Sequence, residues 1–271
     1  MIQIENLSKR YGKNEILRQI TVRFESGGIY GLVGANGCGK TTLMRCICGF
    51  SQPTTGYVLV NGWLVGGRRA LRRNPALQRS GAVSKAADFA PKTGVIIESP
   101  GFLPNESGLT NLMLLADMSG RADRADARRA METLGLSPDE RKPVGRYSLG
   151  MRQRLGFAQA IMENPDVLVL DEPFNAMDRD AMEEVHALLR QFREAGKTIL
   201  LASHSAADIA KACDIVMRWR TEGCGGLFPR KETERQRGKK DSKATPRRTD
   251  NAEKQTKTRP LDLKDGSWHI C

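Results

Sequence analysis

The sequence predicts an α/β fold built on a parallel sheet, with phosphate-binding chemistry at the carboxyl edge of that sheet. Residues 29–33 are a short apolar run of the kind a buried strand needs, residues 34–42 follow as Gly-Ala-Asn-Gly-Cys-Gly-Lys-Thr-Thr, and a helical pattern continues to residue 50. Residues 167–170 form a second apolar run and end in Asp171-Glu172, while residues 198–203 form a third and end at His204. Strands that deliver polar groups at their carboxyl ends are how an open α/β sheet presents a ligand site.

The loop after residue 33 has the Walker A spacing: Gly34, four residues, Gly39, Lys40, Thr41. Its glycines let backbone N–H groups converge on an anion, and the helix that follows adds the partial positive charge of its N-terminus. Gly34, Asn36, Gly37, Cys38, Gly39, Lys40, Thr41 and Thr42 are therefore candidate contacts for a nucleoside triphosphate, read as ATP. Lys40 would reach the β and γ phosphates and the Thr41 hydroxyl would ligate Mg²⁺. The alternative, an ordinary glycine-rich turn, does not account for the strand before it and the helix after it. Cys38, close to that helix N-terminus, is expected to favour thiolate and to react with thiol reagents.

The remaining elements follow in chain order. Residues 2–7 and 16–24 read as strands joined by a polar turn over 10–14, an antiparallel edge ahead of the loop. Tyr11 in that turn offers a ring that can stack on adenine. Residues 56–62 are a further strand, and after them comes a basic stretch with no trusted periodicity. Residues 93–98 are an apolar strand closed by Glu98, and 99–104 a breaker-rich loop. Residues 111–134 are mostly helical, with Leu112, Leu115 and Met118 on one face. Ser148 is an N-cap for a helix running to residue 164. The acids at 171 and 172 take roles from their position: Asp171 as a Mg²⁺ ligand, Glu172 as the group that orients an attacking water. Residues 181–195 form a helix with a core stripe of Met182, Val185, Leu189 and Phe192, on which His186 is expected to face solvent or a polar neighbour. His204 is expected to contact the γ-phosphate.

Composition limits the rest. With 271 residues there is core enough for one large domain or two small ones. No apolar run approaches the roughly 18 residues of a membrane helix, and residues 1–5 lack the pattern of a secretory signal, so a cytoplasmic protein is expected. The six cysteines are scattered and read as reduced thiols. Net charge is +12, and residues 218–271 hold 15 Lys or Arg against 8 Asp or Glu. Arg68, Arg69, Arg72, Arg73, Arg79 and Lys85 form a second basic island. Both stretches can meet nucleic acid or anionic lipid, although solvated surface is the simpler reading.

Taken together these residues resemble the ATP-binding subunit of an ABC transporter, from about residue 2 to about residue 217. The ordered set comprises the Walker A loop, Tyr-Ser-Leu-Gly-Met-Arg-Gln-Arg at 147–154 as the signature, the Walker B strand ending in Asp171-Glu172, Asn-Ala-Met-Asp at 175–178 as the D-loop, and His204 as the switch. The stretch 95–102 and the signature look most like the bacitracin-resistance and lantibiotic-immunity branch of exporters. The resemblance implies a RecA-like P-loop NTPase core with an antiparallel β subdomain and a helical signature subdomain. It also implies two copies, identical or different, facing head to tail, with ATP held between one phosphate loop and the other copy's Ser148 and Gly150, and with Asp178 at the junction. A separate transmembrane permease, engaged through the segment after Glu98, would place the protein on the inner face of the membrane. The organisation expected is an ATP-binding domain over 1–220, a helical subdomain about 99–160, a basic insert about 68–87 and a basic tail over 221–271.

Three features depart from that family. Glu98 stands where most relatives carry Gln, so an anion faces metal and water, and Mg²⁺ can offset its charge. The signature keeps Ser148 and one glycine but has Met151, which lacks a strong hydrogen-bonding group, in place of Gln. The polar, basic run after residue 217 has the composition of a disordered tail and reads as the product of a shifted reading frame in place of the usual ending. The competing function is a soluble ATPase that acts on nucleic acid or ribosomes through that tail, and the leading reading includes no nucleic acid.

Overall fold

The computed structural model describes residues 1–79, 83, 85–98, 100–175, 177–220 and 226–230. The predicted strands β1 (Ile2–Tyr11) and β2 (Asn14–Phe24) pair antiparallel through a turn at Gly12 and Lys13, tighter than the sequence suggests. Strand β3 (Ile29–Val33) precedes the loop and helix α1 (Lys40–Cys48). Next come β4 (Thr55–Val60) and β5 (Trp63–Val65). The basic stretch, where no periodicity was legible, forms two short helices, α2 (Gly67–Arg73) and α3 (Pro75–Arg79), and ends at β6 (Lys85–Ala87).

Strand β7 (Thr93–Ile96) returns the chain to the main sheet before α4 (Gly108–Ser119), α5 (Arg124–Thr133) and α6 (Leu149–Ile161). Strand β8 (Val167–Asp171), helix α7 (Arg179–Glu194), strand β9 (Thr198–Ser203), helix α8 (Ala206–Ala212) and strands β10 (Ile215–Arg220) and β11 (Gly226–Arg230) complete the order. Strand pairing thus reaches Arg230, beyond the boundary expected at residue 220, because β11 adds antiparallel to β10.

The strands make two sheets, a five-stranded one in the order β2-β1-β4-β5-β6 and a six-stranded one in the order β11-β10-β3-β9-β8-β7. From β10 to β7 the second sheet is parallel. Its central strands are buried on both faces, which explains why they read as unbroken apolar runs. In β8, Val167 and Val169 join the cluster that also holds Ile2, Leu43 and Ile47, while Leu168 and Leu170 pack on the opposite side with Phe157, Val185 and Ile209. Leu112, Met131, Tyr147 and Leu155 form a separate cluster among α4, α5 and α6.

Two expectations are corrected by this packing. Met118 does not share the buried face of Leu112; it is 84% exposed. His186 does not face solvent: it is 3% exposed, its ring meets Phe174 edge-on at 4.7 Å between centroids, and its Nε2 has no partner. The apolar stripe of α7 is wide enough to carry the imidazole inward with Val185 and Leu189.

Candidate functional site

The site is built by register. Val33 pairs with Ser203, and Asp171 pairs with Ala202. Gly34, Glu172 and His204, the residues just beyond those strand ends, therefore emerge together along one edge of the sheet. Strand β9 lies between β3 and β8, so the loop and the acid pair are one strand apart.

The phosphate loop is a sterically determined turn. Gly39, at the N-cap of α1, has φ 103°, a conformation that a side chain rarely adopts. A Cβ on Gly34 would lie 2.9 Å from Cys38 Sγ and 3.0 Å from Trp219 in β10. The loop is thus seated directly on its neighbours. Lys40, itself buried, donates from Nζ to Gly34 O at 2.7 Å and Ala35 O at 3.1 Å, closing the loop around its own ammonium. Cys38 lies in the core with Sγ 3.8 Å from Lys40 Nζ. Its burial is at odds with ready attack by thiol reagents.

Tyr11, Asn36, Gly37, Gly39, Lys40 and Thr42, together with Ile16, Thr41, Asp171 and Glu172, line a cleft of about 390 Å³. The sequence reading missed Ile16, whose only signal is its apolar place in β2. Tyr11 is exposed at the rim, with Lys9 Nζ 4.8 Å from its ring centroid. At the cleft floor, Thr41 Oγ1 donates to Asp171 Oδ2 at 2.5 Å. Burial pushes the Asp171 carboxyl up from its ordinary value; the Thr41 hydrogen bond opposes that shift, and the charge of Glu172 adds to it. A hydroxyl and a buried carboxylate in direct contact are hard oxygen donors, the set that suits Mg²⁺. The residues present fit that ion.

Glu172 has φ 47°, a left-handed conformation held by its surroundings. Its Oε1 accepts from the His204 backbone N–H at 2.9 Å, and its Oε2 accepts from Ser203 Oγ at 3.1 Å. Oε2 also lies 2.9 Å from His204 Nδ1. His204, expected to contact the γ-phosphate, thus holds the Glu172 carboxylate. Ser203 was not foreseen, and only its place before His204 could have suggested it.

Other predicted residues stand apart. Ser148 is the N-cap of α6, its Oγ accepting from Met151 N–H at 3.2 Å, and neither it nor Gly150 lines the cleft. Asp178 caps α7, accepting from Ala181 N–H at 2.8 Å. Glu98 pairs with Arg45 at 2.5 Å instead of lining the cleft.

A parallel sheet that delivers a glycine-rich loop, a buried Lys40 and an acid pair to one edge defines a P-loop nucleotide triphosphatase cassette. The chain belongs to the ABC transporter family, whose model matches residues 17–175. It is 36% identical over 217 residues, 80% of this chain, to the bacitracin transport ATP-binding protein BcrA of Enterococcus faecalis, and spans 65% of that protein's length. To the lantibiotic transport ATP-binding protein SrtF of Streptococcus pyogenes it is 32% identical, over 80% of this chain and 85% of the relative. A dimeric bacterial ABC transporter cassette shares the fold with a TM-score of 0.67 at 20% identity, covering 85% of this chain and 98% of that one. Membership in this family makes the chain an ATP-binding protein of the ATPase class.

Proposed function

We propose that this chain is the Mg²⁺-dependent ATPase subunit of an exporter that expels amphiphilic peptides, working with a separate permease at the inner face of the membrane. The observation that carries it is the cleft in which Lys40, Thr41, Asp171 and Glu172 converge, in a chain similar to bacitracin and lantibiotic transport ATP-binding proteins. Those relatives also favour export over the nucleic-acid reading. Among the described residues no helix is long and apolar enough to cross a membrane.

In this reading the loop amides and Lys40 bind the β and γ phosphates, and Thr41 and Asp171 would hold Mg²⁺. When bound, Mg²⁺ would neutralise phosphate charge. Tyr11 and Ile16 present an aromatic and an apolar surface to the base. Glu172 orients the attacking water and accepts its proton, while Ser203 and His204 fix the carboxylate's direction. Ser148 and Gly150, which lie outside this cleft, serve in this reading the loop of a second copy. Binding energy from that closure can bias an attached permease, and hydrolysis releases it. The surface for the permease is an apolar groove of about 480 Å³ that includes Phe50, Phe89, Leu115 and Met118. Phe50, Phe89 and Met118 are exposed there.

Glu172→Gln tests this directly. Losing the general base should lower turnover by about 10²–10⁴-fold while ATP binding is kept, and size-exclusion with ATP should then show a trapped dimer. Wild-type hydrolysis by that variant would refute the assignment.

A further inference from the structure

Glu98 follows β7 with φ 63°, and its Oε1 accepts a charge-assisted hydrogen bond from Arg45 Nη2 at 2.5 Å. Arg45 lies in the last turn of α1. Thr41 lies four residues earlier, on the same helix face and one turn nearer the phosphate loop, where it is bonded to Asp171. Glu98 is therefore bonded to a residue one helical turn beyond Thr41, rather than to the hydroxyl–carboxylate pair that suits a cation. It is still close enough that its charge helps to raise Asp171.

We infer that Arg45 is a positioning residue that parks the Glu98 carboxylate away from the Thr41–Asp171 pair and releases it as the site is loaded. This rests on the reading of Glu98 as a group that faces Mg²⁺ and water. The physical need is electrostatic. When no cation is bound, Glu98, Asp171 and Glu172 would bring three negative charges to one sheet edge, and Arg45 removes one of them from the crowd. An uncharged amide at residue 98 would offer Arg45 no ion pair, so the device belongs to the carboxylate. Both partners are partly open to solvent, with side chains 38% and 62% exposed, so the pair is weak enough to break on loading.

The test is equilibrium binding of a fluorescent ATP analogue to the full chain, titrated with Mg²⁺ at low salt and read without turnover. Arg45→Gln frees Glu98 and should lower the Mg²⁺ concentration at half-saturation by roughly 1.4- to 5-fold, the range for an exposed ion pair. Arg45→Lys keeps the charge and should stay with the wild type, and melting curves confirm that both variants fold. In a Glu98→Ala background the Arg45→Gln effect should vanish. The latch is overturned if Arg45→Gln changes nothing in the wild type while Glu98→Ala, made in the Arg45→Gln protein, raises the half-saturation point. If Glu98→Ala has no effect in the Arg45→Gln protein, the underlying reading of Glu98 fails, and the latch with it.

Discussion

At the scale of single residues, His186 sets the sharpest test of what burial costs. Its Nε2 is buried without a partner, and burial holds its pKa below the ordinary 6.5. Of the charged groups around it, Glu183 and Asp208 pull the pKa up, whereas Arg190 and Lys211 push it down. The unfolded chain binds the proton more readily than the fold does. Stability is therefore whole above the unfolded value and is lost as pH falls through the folded one. His186→Leu keeps similar volume, removes the orphaned nitrogen and cannot be charged. It should stabilise the protein by about 1 kcal/mol near neutral pH, and the gain should widen as acid is added. Chemical denaturation at about pH 7.5 and about pH 5.5 measures both effects. A gain that stays flat or shrinks towards acid would show that the imidazole takes its proton freely in the fold.

At the scale of elements, the site residues sit on strands and helices whose seating depends on close approaches. Gly94 in β7 lies under α6, and a Cβ there would stand 2.0 Å from Ala160 O. Gly94→Ala must therefore lift the helix that carries Ser148 at its N-cap. Overpacking of this kind costs about 1–3 kcal/mol. Thermal melts should show the loss, while binding of an ATP analogue to the phosphate loop of an isolated copy, which α6 does not line, should change less. An unaltered melting temperature would mean that the sheet and helix adjust freely. Elements of this sort were unequally legible. The runs before Gly34, Asp171 and His204 could be read because a strand buried on both faces has no polar residue to break it. Ser148 could be read as a cap because capping is local chemistry. The short helices α2 and α3 could not, since their arginines mark no apolar face. The Arg45–Glu98 and Ser203–Glu172 contacts join residues far apart in sequence, and nothing local announces such pairs.

At the scale of the whole molecule, the phosphate loop depends on a strand contributed from the far end of the chain. Strand β10 pairs with β3 through Ile215↔Tyr30 to Arg218↔Val33, and Asp214 Oδ2 accepts from Ile29 N–H at 2.9 Å. One residue past that pairing, Trp219 is buried against Gly34. The strand that makes the loop is thus held in the middle of its sheet by residues some 185 positions away. Two truncations separate this contribution from anything further on. A chain ending at Arg230 keeps every strand pairing found among the described residues, so its melting temperature and affinity for an ATP analogue should match the full chain. A chain ending at Asp214 loses β10 and β11, exposes the edge of β3, and strips Met217 and Trp219 from the cluster that holds Leu43 and Ile47. Losing two such buried side chains removes about 3–6 kcal/mol, comparable to the whole stability of an ordinary domain. That truncation should melt far below the full chain and bind the analogue weakly, as followed by circular dichroism and fluorescence. Equal behaviour of the two truncations would show that the loop is self-supporting and that β10 only borders it.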